Sequence, residues 1–155
     1  MLDKERIRGF KIFNNLDPEG LESILQLALK LDYKAGDIIL EEAGSRAESD
    51  LYLVLDGLVK VELDTRQLLV DEKISKRLAV LKDGAIFGEI GLLRGTDRSA
   101  RVVAYSDVTV LKIDQRKLYH LLEANHHLGY MFMRNLAVIL SERLVDVNFM
   151  WRDVI

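Results

Sequence analysis

Between Leu29 and Ile113 the chain never holds one hydrophobic rhythm for more than a few residues. Brief β-type runs, LKLDY, DIIL, LYLVL, LVKVEL, RLAVL, ARVVA and VTVLKI, alternate with Ala35-Gly36-Asp37, Gly44, Asp56-Gly57, Asp83-Gly84 and Ser106-Asp107. Runs rich in branched apolar residues and bounded by such turn formers read as strands. Many short strands joined by tight turns close into a barrel or a sandwich. Asp56-Gly57, between LYLVL and LVKVEL, has the chemistry of a two-residue type I′ turn, so a β-hairpin is expected there. The charged stretch Asp64 to Lys76 breaks the pattern and is expected to form a long exposed hairpin tip.

The flanks are helical. Asp17 is a natural N-cap and Pro18 suits a first helical position, with Leu21, Ile24, Leu25 and Leu27 to Leu29 as the apolar side. After Asp114 the spacing predicts a short helix over QRKLYHLLEAN and a long one over LGYMFMRNLAVILSERLVDVNFMW. The long helix carries two apolar stripes: Leu136, Leu140, Leu144, Val147 and Trp151 form one, and Phe132, Ile139 and Met150 the other. A helix lying on one core needs a single stripe. The second is therefore expected to meet the same helix of another subunit, making a homodimer through the C-terminal helix.

A chain of 155 residues is the usual size of one domain. Its net charge of −3 gives no broad field for nucleic acid or anionic lipid, so any anion site must be local. With no cysteine, disulfides and thiolate metal sites are excluded and a cytoplasmic location is expected. The N-terminal MLDKERIRGFKIF lacks a signal-peptide core, and no run approaches a membrane span in length, so no membrane partner is expected.

FGEIGLLRGTDRSA, Phe87 to Ala100, combines two glycines, an acid inside an apolar run and an arginine followed by small residues. Gly88 to Leu93 can form one helical turn whose leading N–H groups attract an anion. Gly88 and Gly91 leave the backbone open to a ligand, and Ile90, Leu92 and Leu93 are expected to anchor the turn in the core. The forked guanidinium of Arg98 suits two phosphate oxygens, and the Ser99 hydroxyl can add a further hydrogen bond. Glu89 can only accept hydrogen bonds, so beside a phosphate it fits a sugar hydroxyl. These residues together read a phosphorylated sugar. Equally, Glu89 and Arg98 can pair with each other as a partly buried salt bridge.

The stretch FGEIGLLRGTDRSARVVA resembles the phosphate-binding cassette of the cyclic nucleotide-binding domain family, shared by catabolite activator proteins, protein kinase A regulatory subunits and gated channels. KAGDIILEEAGSRAESDLYLVLDGLVKVEL repeats that family's glycine pattern at Gly36, Gly44 and Gly57. The resemblance covers nearly the whole chain. It implies a mainly β fold with flanking helices: an eight-stranded antiparallel β-roll, jelly-roll-like, with an N-terminal helix and two C-terminal helices. Residues 1–155 then form a single cyclic nucleotide-binding domain. Its N-terminal helical part is 1–28, its β-roll 29–113 with the cassette at 87–100, and its C-terminal helices 114–155.

The same resemblance implies cyclic AMP or cyclic GMP as ligand. Glu89 would hold the ribose 2′-OH and Arg98 the exocyclic phosphate oxygens, with Ser99 assisting and backbone N–H groups near Gly88 and Ile90 completing the cradle. The expected ligand-binding set is Gly88, Glu89, Ile90, Gly91, Leu92, Arg98, Ser99 and Ala100. Asp97 stands where many members carry proline, and Ser99 matches neither the alanine common in cyclic AMP sites nor the threonine of many cyclic GMP sites. Arg143, Val147, Asn148 and Trp151 are candidates to cover the base.

Other chemistries fit poorly. The three histidines, His120, His126 and His127, lie beyond the β region, and adjacent residues on a helix cannot chelate one metal. No metal or cofactor is expected. Ser99 has no histidine near it in sequence and GEIGLL lacks the serine of a nucleophile elbow, so no enzyme activity is expected. Lys73, Lys76 and Arg77 read as a solvated loop. The chain ends at Ile155 without a recognition helix, so no DNA binding by this chain alone is expected. The expected function is a regulatory sensor that couples cyclic nucleotide binding to movement of the C-terminal helices; the alternative is a ligand-free dimerisation module using the roll as scaffold.

Overall fold

The computed structural model describes residues 2–41, 49–63, 78–94 and 100–154, with 63, 78, 100 and 147–154 described by backbone alone. Two units emerge, one of Met1–Gln26 with Tyr119–Ile155, the other of Leu27–Leu118.

The second unit is the β-roll. Its strands are β1 (Ala28–Tyr33), β2 (Ile38–Leu40), β3 (Leu51–Asp56), β4 (Val59–Leu63), β5 (Leu78–Leu81), β6 (Ile86–Phe87), β7 (Ala100–Ala104) and β8 (Val108–Ile113). They form two four-stranded sheets, in the orders β1-β8-β3-β6 and β2-β7-β4-β5, with every pairing antiparallel. Residues from both sheets, among them Leu40, Tyr52, Val54, Val59, Phe87, Val102 and Val110, make one buried cluster. All of Leu51 to Leu55 are buried. Because alternate side chains of a strand face opposite ways, β3 is covered on both faces, and so its run reads LYLVL without polar alternation.

The expected hairpin at Asp56-Gly57 does not form. β3 pairs with β8 and β6, whereas β4 pairs with β5 and β7, so the turn carries the chain from one sheet to the other. Gly57 does have φ +91, but Asp56 is not left-handed, as a type I′ turn requires of both central residues. A register irregularity between Val54 and Asp56 bends the strand out of its ladder just before the turn.

The crossing is stacked on two others, β1 to β2 and β7 to β8. The Leu58 N–H donates to Ser106 Oγ at 3.0 Å, and the Tyr105 N–H donates to the Leu58 carbonyl at 2.9 Å. Asp107 Oδ1 accepts from the Ala35 N–H at 3.0 Å, and Gly36 N–H donates to the Ala104 carbonyl at 2.8 Å. That Ala35 hydrogen bond, followed by the Lys34 ammonium, holds the Asp107 carboxyl below its ordinary value of 3.8. A Cβ on Gly57 would lie 2.3 Å from the Asp107 carbonyl oxygen, so the corner admits only glycine.

The helical unit begins with α1 (Lys4–Arg8), a short helix not expected from the sequence, and a 3-10 turn at Lys11–Phe13. In α2 (Pro18–Leu25), Asp17 accepts from the Gly20 N–H as the N-cap. Leu21, Ile24 and Leu25 form its buried side. Leu29, expected on that side, instead belongs to β1 and is 62% exposed. Two C-terminal helices follow, α4 (Gln115–Ala124) and α5 (His126–Val154).

Of the two stripes on α5, Phe132 and Ile139 are buried within the single chain. That corrects the assignment of their stripe to a second subunit. They share the inward face with Leu128 and Leu136, where α5 packs on the 3-10 turn. Leu144 and its neighbour Val145 are instead exposed, at 61% and 50%. The side chains of Val147, Asn148, Met150 and Trp151 lie outside the described residues, as do Gly44, the stretch Asp64 to Lys76 expected to form a hairpin tip, and Arg77. Among the described residues no helix is long and apolar enough to cross a membrane.

Candidate functional site

The site is built where β6 ends. Phe87 pairs with Tyr52 of β3 in the ladder, and their rings stack with centroids 5.0 Å apart. The strand is pinned further by the Gly84 N–H donating to the Val54 carbonyl and the Val54 N–H donating to the Ala85 carbonyl, at 2.8 and 2.9 Å. Gly88 follows at φ +81, a conformation that costs a side-chain-bearing residue about 1–2 kcal/mol. This sharp turn starts α3 (Glu89–Arg94), whose first intrahelical bond runs from the Leu92 N–H to the Gly88 carbonyl at 3.0 Å. The expected helical turn is thus present, and it packs against β3.

Only part of its apolar side is inward. Leu92 and Gly91 are buried, while Ile90 and Leu93, expected in the core, are 43% and 46% exposed. So short a helix has one inward face, and positions three apart such as 90 and 93 share the other. Glu89 is half-buried at the head of the helix. Ala100 opens β7, opposite Leu63 of β4. Arg98 and Ser99, with Asp97, lie outside the described residues.

Two residues that no sequence motif marks hold the far end of α3. Gln115, the first residue of α4, donates from Nε2 to the Leu92 carbonyl at 3.0 Å. Its own backbone N–H donates to Asp50 Oδ1 at 3.1 Å, and Lys112 Nζ stands 3.6 Å from Asp50 Oδ2. Asp114 accepts from the Lys117 N–H as the local cap. Nothing in the sequence flags Asp50 or Gln115, because each acts on a partner distant along the chain. Among the described residues no group of histidines and acids is placed to hold a metal ion.

The description "cyclic nucleotide-binding domain" belongs to the family that matches residues 30–125, a span containing both sheets except the first two residues of β1, together with Gly88 and α3. The chain belongs to this cyclic nucleotide-binding domain family. A cyclic AMP receptor protein of Thermus thermophilus is 31% identical over 142 residues, covering 92% of this chain and 61% of that protein. Glutaminase 2 of Bradyrhizobium diazoefficiens is 33% identical over 133 residues, 86% of this chain but 19% of its own length. In both cases the chain spans less than two thirds of the relative. The crystal structure of the Thermus thermophilus catabolite activator protein superposes with a TM-score of 0.72 at 25% identity, covering 92% of this chain and 62% of that one. The roll with its flanking helices is therefore the fold of this cyclic nucleotide-binding domain family.

Proposed function

We propose that residues 1–155 act as one regulatory domain that binds cyclic AMP or cyclic GMP at the cassette and passes the binding event to the C-terminal helices. The observation that carries this reading is the one-turn helix α3, opened by left-handed Gly88 at the end of β6, inside a chain of this family. In the proposed complex the N–H groups near Gly88 and Ile90 face the cyclic phosphate, Arg98 adds a two-pronged guanidinium, and Ser99 a hydroxyl. Glu89 accepts from the ribose 2′-OH, while Gly91, Leu92 and Ala100 line the cradle.

No bond is made or broken in this role. A ligand moves an equilibrium only as far as it prefers one state. The exposed faces of Ile90 and Leu93 are surface that can gain contacts when α3 tightens on phosphate. The protein works in the cytoplasm as a homodimer, with Leu144 and Val145 of α5 as the apolar surface available to a second copy.

A ligand bound only by the native state raises the melting temperature by mass action. Millimolar cyclic AMP or cyclic GMP is expected to raise the midpoint of the wild-type chain and to raise that of Arg98→Ala much less. A midpoint indifferent to both nucleotides in the wild type removes the proposal and leaves a ligand-free scaffold.

A further inference from the structure

We infer that Gln115 is a positioning residue whose side-chain amide ties α3 to the start of α4, so that a shift of the cassette helix is delivered to α4 through this hydrogen bond. The inference rests on the nucleotide-binding reading for what drives the shift, but the tie itself stands on geometry alone. Leu92 lies in the second half of α3. Gln115 Nε2 meets its carbonyl at 3.0 Å, while the backbone of Gln115 is held to the roll by Asp50 at 3.1 Å.

One residue therefore has its main chain clamped to the start of β3 and its side chain clamped to α3. Leu92 is 1% exposed, so α3 cannot rotate or slide without moving this buried side chain and the carbonyl beside it. α4 is a continuous helix from Gln115 to Ala124, so displacement of its first turn is carried along its axis. A packed leucine contact resists separation in any direction, whereas a hydrogen bond also fixes the direction and length of the link.

The test uses the full chain and four proteins: wild type, Gln115→Leu, Gln115→Glu and Gln115→Lys. Leucine and glutamate keep the bulk but remove the donor, and lysine keeps a donor of similar reach. Without nucleotide, amide exchange in 89–94 and in 115–118 is expected to quicken together, about fivefold, in the leucine and glutamate variants and to stay near wild type in the lysine variant. With cyclic AMP, the change in exchange that the ligand produces at 115–118 is expected to vanish in the leucine and glutamate variants while calorimetric affinity holds.

Wild-type exchange in all three variants overturns the tie. So does a lysine variant that behaves like the leucine one, since that pattern reports packing rather than a donor. If the wild type binds no nucleotide, the functional reading fails by itself, and the ligand-free exchange still decides the link between α3 and α4.

Discussion

Gly57 illustrates how a residue can be required for a reason the local sequence does not contain. Asp56-Gly57 correctly signals a reversal with a left-handed glycine, φ +91, yet the close neighbours are Ser106, Asp107 and Val108 of another crossing. A Cβ there meets backbone, which cannot swing aside, in addition to the strained φ. Gly36 shares the strained φ at +93, but a methyl group there would have nothing within 4 Å. Gly57→Ala is thus expected to destabilise the fold by about 3 kcal/mol or more, and Gly36→Ala by about 1 kcal/mol. Urea melts of the two variants measure the difference; equal losses would mean that the stacked corners are not rigid. Within the cassette, the helical turn opened by left-handed Gly88 and the inward side of Leu92 are legible because their pattern is local. Asp50 and Gln115 are not, because a single hydrogen bond across the fold leaves no pattern.

At the scale of elements, strands and helices follow from periodicity, since each alternation or helical stripe is local. Even the two-residue β6 is visible as the apolar end of GAIF before a glycine. What periodicity cannot assign is the partner of each face. The stripe of Phe132 and Ile139 on α5 resembles a surface awaiting a second copy, but the N-terminal 3-10 turn of the same chain fills that role. Asn135 fixes this docking from a buried position, its Nδ2 donating to the carbonyls of Ile12 at 2.9 Å and Asn14 at 2.8 Å. Losing a buried partner leaves each carbonyl with a desolvation cost of about 1–3 kcal/mol. Asn135→Leu, similar in volume, is therefore expected to lower the unfolding free energy by about 2–4 kcal/mol in denaturant titration. An unchanged midpoint would show that α5 is docked by apolar contact alone.

For the whole molecule, an eight-stranded roll is legible from a family pattern, while the division into two sheets is not. The sheets pair Ala28 with Ile113 and Val59 with Ala104, and such long-range partners are set by closure of the roll. Consecutive strands change sheets at nearly every step, and β4 with β5 is the one consecutive pair that shares a ladder among the described residues. Assembly belongs to this scale too. Leu144 and Val145 are exposed on α5, so sedimentation is expected to give a dimer for the wild type and a monomer for Leu144→Asp; a wild-type monomer would refute assembly through this helix.

The proposed complex has a cyclic nucleotide held between the α3 turn, Glu89 and Arg98. Calorimetric titration of wild type and Arg98→Ala with cyclic AMP and cyclic GMP tests this directly. The predicted result is saturable heat for the wild type with at least one of the two nucleotides. Loss of charge-assisted hydrogen bonds at about 1.5–3 kcal/mol each should weaken binding by roughly a hundredfold or more in the variant. Equal weak heats from both proteins with both nucleotides would contradict it.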